Sequence, residues 1–300
     1  MTADSGHRVL AELLQRPFYK MSGSGNDFVF LDASGLGAAP SVPADVTAAL
    51  CARGPGIGAD GLVVLDALPD SGVRIAYYNS DGSRATLCGN ATLCAAALAD
   101  RLGLAPSDAA FRIATDAGVL KAEVRAGQGP RFQLEPVADL DPTVVLPDGV
   151  GGAIGALRAG FGVAGVPHLV VQVPDVERVD LNGVSPALRR ATTGRPDGAN
   201  VNYVSRSPSG GWRMRTFERG VEGETLACGT GAVASATLLA MWGEAGTDPG
   251  ATISLETRSG RHLVVTPPTE ADRRPWLGGE GRLVFTGTLP PNSLRALRRE

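Results

Sequence analysis

The amino-acid sequence predicts an α+β protein of two pseudo-symmetric domains, each with strands wrapped around a central helix. One observation is a repeat, because short segments of the first half recur about 140 residues later. The other is a Cys-Gly turn in each half, at Cys88 and at Cys228, which leads from strand-like runs into a helix of small residues. Many strands with one such helix in each half indicate the α+β class.

The repeat extends well beyond the two cysteines. A nearly constant spacing over several segments favours duplication over chance, although each match alone is weak. The matching pairs are residues 74–79 with 213–218, 61–64 with 200–203, 27–29 with 168–170, and Gly118 with Gly260. Two domains of roughly 130 to 150 residues each therefore account for the 300 residues of the chain.

In the first half, apolar patterns and turn formers predict the order of the elements. A short helix at residues 9–14 precedes the repeat, and strands at 18–21 and 28–31 flank a glycine-rich bend. The helix after Cys88 runs from about residue 90 to 102, because a glycine that follows the last helical residue is a common stop. The remaining elements are a helix at 44–53, strands at 62–65 and 73–78, and a hairpin of 111–115 with 119–125.

The second half repeats this order. Residues 130–147 are rich in turn formers and are predicted to cross between the halves. The helix after Cys228 runs from about residue 230 to 242 and stops at a glycine. The remaining elements are a strand after Pro167, a helix at 185–191, strands at 200–204 and 212–217, a hairpin of 252–257 with 261–266, and a strand at 282–288.

Composition and charge limit the classes of function. With 43% hydrophobic and 20% charged residues the chain can build a core, and a net charge of −3 gives no reason to expect a nucleic-acid partner. The sequence has no signal-peptide pattern and no run of about 18 apolar residues, so we expect a cytoplasmic protein without membrane contact. Four cysteines are too few for a disulfide scaffold, and Cys51 and Cys94 are predicted to be core residues.

Cys88 and Cys228 are the candidate catalytic groups. A thiol just before a helix faces unpaired backbone N–H groups and the positive end of the helix dipole, which lowers its pKa and favours the thiolate. Two such thiols on opposite sides of one cleft suit the inversion of a carbon centre. One thiolate would remove a proton from the carbon, and the other thiol would deliver a proton to the opposite face.

Other kinds of chemistry fit the sequence less well. The histidines show no local metal-ligand spacing, and no cysteine pair has the CxxC spacing. A pyridoxal-phosphate enzyme needs a lysine in a cofactor motif, and neither Lys20 nor Lys121 stands in one. We therefore predict neither a metal nor an organic cofactor. A Cys-His protease that uses His168 would leave one thiol without a role, and a non-catalytic amino-acid-binding protein would not need both thiols.

Several motifs together resemble the diaminopimelate epimerase family, over about residues 17–290 and in the same order. They are GSGNDF at 23–28, GIGADG at 56–61, NSDGS at 79–83, CGN at 88–90, PH at 167–168, NVN at 200–202, ERG at 218–220 and ETLACGTGA at 224–232. The resemblance implies cofactor-independent inversion of a small amino-acid substrate in a cleft between two similar domains. It also implies that the end of the chain returns to the first domain.

The predicted domains follow from the repeat and the resemblance together. Residues 1–16 form an N-terminal extension. Residues 17–129 with 288–300 form the first domain, and residues 130–287 form the second. The active-site cleft is expected between the two domains, and a homodimer is left open.

The resemblance also implies roles for individual residues. Cys88 and Cys228 are the acid/base pair, and His168 either supports a thiol or packs in the core. Backbone N–H groups at the starts of the two helices would hold the α-carboxylate and stabilise the charge that develops on deprotonation. These are the N–H groups of Gly89, Asn90, Gly229 and Thr230. The side chains expected to hold the rest of the substrate are those of Asn26, Asn79, Asn200, Glu218 and Arg219, the last in a bidentate contact with the far carboxylate.

The chain departs from the family's pattern at several positions. Val166-Pro167-His168 stands where the family usually has Asn-Pro-His, which removes an amide expected to contact the far end of diaminopimelate. GNATLC at 89–94 replaces GNGAR-Cys, and Ser22 stands where histidine is common. The leading expectation is epimerisation of LL-diaminopimelate to the meso form, a step of lysine and peptidoglycan precursor biosynthesis. The alternative is an epimerase of another amino acid with an altered distal pocket.

Overall fold

The computed structural model describes residues 3–37, 40–191, 197–208, 210–246 and 251–291, together with residues 293 and 297. They fall into two compact units, Met1–Phe132 with Glu280–Glu300, and Gln133–Gly279. Parts of the predicted terminal segments, residues 1–2, 292, 294–296 and 298–300, lie outside the described residues. Within the described ranges, none of the helices combines the length and the apolar character needed to cross a bilayer.

The elements are short strands interspersed with helices. In chain order, the helices are α1 (Ala3–Gln15), α2 (Ala44–Cys51), α3 (Gly89–Arg101), α4 (Val150–Ala153), α5 (Leu181–Ala191) and α6 (Gly229–Met241). The strands are β1 (Phe18–Gly23), β2 (Asn26–Asp32), β3 (Gly61–Ala67), β4 (Gly72–Asn79), β5 (Arg84–Ala85), β6 (Phe111–Thr115), β7 (Gly118–Arg125), β8 (Gly129–Gln133), β9 (Ala138–Asp141), β10 (Arg158–Ala164), β11 (Val166–Gln172), β12 (Asn200–Arg206), β13 (Trp212–Glu218), β14 (Gly223–Thr225), β15 (Ile253–Glu256), β16 (His262–Thr266), β17 (Trp276–Gly278) and β18 (Arg282–Gly287).

Helix α3 lies at the centre of the first unit. Strands β1, β4, β7 and β18 pack against it, and residues 90–96 of the helix are all buried. A helix that is covered on every side has no polar face, which explains why its sequence is mostly small and apolar throughout. The strands approach closely, since a Cβ atom on Gly23 would lie 2.7 Å from Sγ of Cys94 and 2.8 Å from the carbonyl oxygen of Asn90.

Helix α6 has the same position in the second unit. It packs against β10, β11, β12, β16 and β17, and residues 231–239 are all buried. Here too a strand glycine allows close approach, because a Cβ atom on Gly160 would lie 2.8 Å from Cδ2 of Leu238. The predicted α+β fold, with strands around a central helix in each half, is therefore confirmed.

The two units share one pattern of strand pairing. In the first unit β1–β2, β3–β4, β4–β5 and β6–β7 are antiparallel, and β2–β3 and β4–β6 are parallel. In the second unit β10–β11, β12–β13, β13–β14 and β15–β16 are antiparallel, and β11–β12 and β13–β15 are parallel. The repeat seen in the sequence is therefore a repeat of topology.

The strand register corrects one predicted match of the repeat. Phe28 pairs with Gly61, and His168 pairs with Asn200, so His168 corresponds to Phe28 and not to Asp27. The turns explain the difference. Two residues separate β1 from β2, whereas Gly165 alone separates β10 from β11. A shift of one residue reverses which face of a strand a side chain occupies, so the correction matters for the site.

Strand β18 belongs to the first unit, and the predicted second domain of residues 130–287 therefore extends too far. It pairs antiparallel with β1, Phe18 lying opposite Gly287. The alternation of residues in such a strand does not reveal which sheet it joins, because only the pairing decides. The predicted crossing at 130–147 also contains regular structure, the end of β8 and strand β9.

The segment predicted as an N-terminal extension is part of the first unit. Helix α1 buries Leu10, Leu13 and Leu14 in the same core as Val29 and Leu62. Cys51 and Cys94 are 3% and 0% exposed, which confirms their prediction as core residues. The core of the second unit forms around residues such as Leu169, Val201, Tyr203 and Phe217.

Candidate active site

Cys88 immediately precedes α3, as the sequence predicts. Its backbone is extended, with φ −134° and ψ 117°, and its side chain is half-buried. Strand β5 brings the chain to this point, because Ala85 pairs with Tyr77 of β4 and Cys88 follows after a short bend. Burial, and then the nearby Cys88 thiol, raise the pKa of the Tyr77 phenol. Tyr77 was not among the residues predicted from the sequence, since an aromatic side chain within a strand usually indicates only core packing.

A chain of amides and carboxylates lies beside this thiol in the first unit. Asn90 is 4% exposed, and its Nδ2 donates to Oδ1 of Asn26 at 2.7 Å. Nδ2 of Asn26 donates in turn to Oδ2 of Asp60 at 2.9 Å. Among the described residues, Oδ1 of Asn90 has no hydrogen-bond partner. A buried acceptor in this state costs about 1–3 kcal/mol, which a donor from a ligand would offset.

A charged cluster holds the two glycine-rich motifs of the first unit together. Lys20 is only 7% exposed, and its Nζ lies 2.6 Å from Oδ2 of Asp27 and donates to the carbonyl oxygen of Gly58. Arg53 bonds both Asp27 at 2.6 Å and Asp60 at 2.8 Å. Burial alone would raise the pKa of Asp27, but the hydrogen bonds from Arg53 and Lys20 lower it. Asp60 thus fixes Asn26, a role that sequence reasoning missed although Asp60 stands in the GIGADG motif.

Asn79 ends strand β4 and turns the chain toward Cys88. Its Nδ2 donates to Oγ of Ser83 at 2.9 Å, and its backbone N–H donates to the Ser83 carbonyl at 2.8 Å. It pairs with Gly61 of β3 and is half-buried. In the first unit the structure therefore joins Asn26 to Asn90, which follows Cys88 by two residues, and places Asn79 at the end of β4 opposite Gly61.

Cys228 immediately precedes α6 and is 7% exposed. The backbone N–H of Gly231 donates to its Sγ at 3.4 Å, and the hydroxyl of Thr230 lies 3.5 Å away. Burial raises the pKa of the thiol to about 11, and the Glu218 carboxylate adds to the effect, against the opposing contacts of Thr230 and Gly231. The expectation that the helix terminus lowers this pKa is wrong for Cys228, because loss of solvent outweighs the helix dipole.

Asn200, Glu218 and Arg219 lie together in the second unit. Asn200 begins β12, and its Oδ1 accepts the backbone N–H of Arg219 at 2.8 Å. Glu218 ends β13, and burial raises the pKa of its carboxyl. The guanidinium of Arg219 is close enough to His168 to act on its protonation. The predicted residues of this unit are therefore brought to one place around the start of α6.

His168 is a fully buried, neutral imidazole. Burial and the charge of Arg219 lower its pKa to about 3. Asn202 fixes the tautomer, because its Oδ1 accepts the Thr216 hydroxyl at 3.0 Å and its Nδ2 donates to the Leu169 carbonyl and, at 3.1 Å, to Nδ1 of His168. The proton therefore lies on Nε2, for which the described residues supply no partner. Sequence reasoning missed Asn202, although it stands in the NVN motif.

Asn202 also abuts the start of helix α6. A Cβ atom on Gly231 would lie 2.3 Å from Oδ1 of Asn202 and 3.2 Å from Sγ of Cys228. A side chain at this helix position is therefore excluded by the buried amide. The second glycine of the CGTG sequence is explained by this contact.

The fold is shared with solved structures. That of a PhzF-family phenazine biosynthesis protein from Bacillus anthracis superposes with a TM-score of 0.69, covering 91% of this chain and 98% of that chain. At 15% sequence identity the likeness shows the fold alone. The comparison places this chain in the class of proteins with the α+β fold of that structure.

Sequence comparison gives the family. Residues 18–137 and 162–271 match the sequence model of the family described as diaminopimelate epimerase. The diaminopimelate epimerase of Gemmatimonas aurantiaca is 48% identical over 281 residues, 91% of this chain and 98% of the relative. That of Chlorobaculum tepidum is 33% identical over 270 residues, 90% of this chain and 99% of the relative. The chain belongs to the diaminopimelate epimerase family, as the motifs predict.

Proposed function

We propose that the protein is a diaminopimelate epimerase, which inverts the α-carbon of LL-diaminopimelate to give the meso form. The observation that carries the proposal is the duplicated arrangement of Cys88 and Cys228. Each thiol lies at the start of the central helix of its own unit, after equivalent strands. The identity of 48% to a diaminopimelate epimerase over nearly the whole chain supports the same activity.

The proposed chemistry is a transfer of protons at one carbon by two thiols. At neutral pH Cys228 is a protonated thiol, because its pKa is about 11, and it suits the role of the acid. Cys88 as the thiolate would then remove the α-proton, while Cys228 delivers its proton to the opposite face. After turnover the protonation states are exchanged, so the enzyme can act on either epimer.

The starts of helices α3 and α6 would bind the α-carboxylate. The first N–H groups of a helix have no partner within it, and the helix dipole favours a negative charge there. The proposal assigns this role to the N–H groups of Gly89, Asn90, Gly229 and Thr230. They would also stabilise the charge that develops as the α-carbon is deprotonated.

The distal carboxylate and amine would be bound by Asn26, Asn79, Asn200, Glu218 and Arg219. Val166, at the start of β11, is half-buried and pairs with Ala164. Its apolar side chain leaves the distal pocket with fewer polar groups than the Asn-Pro-His sequence of the family would supply. The distal carboxylate and amine would still have several polar partners. The loss of the asparagine amide would therefore change the affinity for the substrate without changing the reaction.

The test is incubation of the purified protein with LL-diaminopimelate in deuterated water. Mass spectrometry measures deuterium at the α-carbon, and chiral chromatography measures the meso product. Cys88→Ala and Cys228→Ala should each lower the rate of inversion at least about 100-fold, since general acid/base groups contribute factors of this size. Cys51→Ala, which removes a buried thiol outside the proposed site, is the matched control and should retain the rate.

Two results would contradict the proposal. Wild-type rates of inversion in either catalytic-cysteine variant would remove the two-thiol mechanism. Turnover of lysine or glutamate without turnover of diaminopimelate would reject the substrate and leave an amino-acid epimerase of the same mechanism.

A further inference from the structure

We infer that Asp60 is a positioning residue that sets the orientation of two side-chain amides, those of Asn26 and Asn90, so that Asn90 presents its oxygen to an ammonium group. The inference rests on the proposed function, which places the reacting carbon at Cys88, and it adds a residue that this function does not include. It starts from the hydrogen bonds that lead from Asp60 through Asn26 to Asn90.

The carboxylate of Asp60 is surrounded by hydrogen-bond donors. Its Oδ1 accepts from Nη2 of Arg53 at 2.8 Å. Its Oδ2 accepts from the backbone N–H of Asp27 at 3.2 Å and from Nδ2 of Asn26 at 2.9 Å. A guanidinium and a backbone N–H can only donate, so both carboxylate oxygens are acceptors. The amide atom of Asn26 that faces Asp60 must therefore be the nitrogen.

The backbone and the neighbouring charges hold Asp60 in place. Its N–H donates to the carbonyl oxygen of Asp27 at 2.9 Å, while its side chain accepts the N–H of the same residue. Arg53 bridges the two carboxylates, and the buried Lys20 is paired with Asp27 at 2.6 Å. The group that orients Asn26 is therefore anchored on several sides.

The orientation passes from Asn26 to Asn90. With the nitrogen of Asn26 on Asp60, its oxygen faces Asn90, and the two side chains approach to 2.7 Å. Two amide oxygens at this distance would repel, so Asn90 donates through its nitrogen and its oxygen is left over. That oxygen is buried and has no hydrogen-bond partner among the described residues. Asn26 keeps one hydrogen and one lone pair for its own proposed contact with the substrate.

The remaining oxygen of Asn90 needs a donor from a ligand. A buried acceptor without a partner is costly, so a ligand that donates a hydrogen to it gains affinity. Asn90 is the second residue of α3 and follows Cys88 by two positions. In the proposed function the first N–H groups of this helix hold the α-carboxylate. The donor that the reacting carbon then offers to Asn90 is its ammonium group.

The second unit shows that the fold does not need these polar groups. The register that aligns the two units places Val166 at the position of Asn26. It places Ala199 at the position of Asp60. Both side chains are apolar, yet the parallel strand pair of the second unit forms in the same way. The carboxylate and the amides of the first unit therefore serve a purpose other than the fold.

Asp60→Asn tests the inference, because it keeps the shape of the side chain and replaces one acceptor oxygen by an N–H donor. The oxygen that remains should stay with the charged guanidinium of Arg53, so that the new amide donates to Asn26. Asn26 and Asn90 should then both turn over, and Asn90 should present its nitrogen. Neutron diffraction from a perdeuterated crystal shows the hydrogens of each amide directly and needs no activity.

Exchange of the two side chains is the rescue. Asn26→Asp alone places two carboxylates side by side. Combined with Asp60→Asn, it puts a carboxylate at position 26 that accepts both from the amide at position 60 and from Asn90. The double variant should therefore restore the orientation of Asn90, which a loss of packing alone would not do.

The kinetics of an active enzyme should follow the orientation. Asp60→Asn should raise the KM for LL-diaminopimelate about tenfold with little change in kcat, because the ammonium group is bound before and during the reaction. The double variant should recover most of this loss. Asp116→Asn is the matched control, since it also removes a first-unit carboxylate that is paired with an arginine, at 2.9 Å from Arg84. It should leave both KM and the orientation of Asn90 unchanged.

The outcomes separate this inference from the proposed function. An unturned Asn90 in Asp60→Asn, or a double variant in which Asn90 stays turned, would overturn the inference while the epimerase activity stands. A wild-type map in which the nitrogen of Asn90 is the free atom would also overturn it, and this result does not depend on the folding of any variant. The expected orientations in a protein that does not epimerise diaminopimelate would refute only the function.

Discussion

Replacing Gly231 by alanine tests whether Asn202 forces a glycine at the start of helix α6. The new Cβ atom would lie 2.3 Å from Oδ1 of Asn202, well inside van der Waals contact. Asn202 is fully buried, and its oxygen accepts the Thr216 hydroxyl at 3.0 Å. The amide therefore cannot retreat from the methyl group without losing this bond.

The expected cost follows from three contributions. Overpacking of a close-packed core costs about 1–3 kcal/mol, and leaving a buried oxygen unpaired costs about 1–3 kcal/mol. Alanine regains about 1 kcal/mol over glycine within a helix. The net loss in the free energy of unfolding is about 3 kcal/mol, which lowers the Tm of a domain of this size by about 6–12 °C.

Tryptophan fluorescence in urea is a suitable assay. Trp212, Trp242 and Trp276 are the three tryptophans of the chain and all belong to the second unit, so the signal reports its unfolding. Gly152→Ala in helix α4 is the control, because its Cβ atom would meet nothing within 4 Å. It should be neutral or stabilising by about 0.4–1 kcal/mol. If Gly231→Ala unfolds at the same urea concentration as wild type, the explanation of this glycine is wrong.

Two further predictions concern stability. The pKa of His168 is lowered to about 3 in the folded state, so the unfolded state binds more protons between pH 6.5 and 3, and stability present above pH 6.5 is lost as the pH falls through this window. His168→Gln should reduce the slope of unfolding free energy against pH by up to about 1.4 kcal/mol per pH unit, and an unchanged slope would contradict the assignment. Leu13→Ala should cost about 2–5 kcal/mol in urea unfolding followed by circular dichroism, because α1 packs this side chain into the core. The exposed neighbour Glu12→Ala should cost far less, and equal losses would show that α1 is not part of the core.

The repeat and the two capping cysteines are predictable from the sequence because they depend on local patterns. Cys88 and Cys228 each stand between a strand pattern and a helix of small residues, and both helices begin within one residue of the predicted start. The choice of sheet for β18 is not predictable in this way, since its partner β1 lies at the other end of the sequence. The match of His168 to Phe28, and not to Asp27, depends on the length of the turn between the two strands before it. A constant spacing between the two halves does not reveal a change in turn length.

Local sequence patterns also do not predict the environment of each thiol. Burial sets the pKa of Cys228, and burial is a property of the packed unit. The contrast between Ala91 and Gly231, each the third residue of its helix, depends on the opposing strand. Asn202 stands against Gly231, whereas the equivalent strand position of the first unit holds the apolar Val63.

The return of β18 to β1 has a consequence for synthesis on the ribosome. The second unit is inserted between β8 and β18, so its whole sequence is translated before the first unit receives its last strand. Domains fold as units while the chain emerges, and contacts between distant segments form late. The unit that begins first in the sequence is therefore completed last, and its β1 edge stays open until the second unit has been translated.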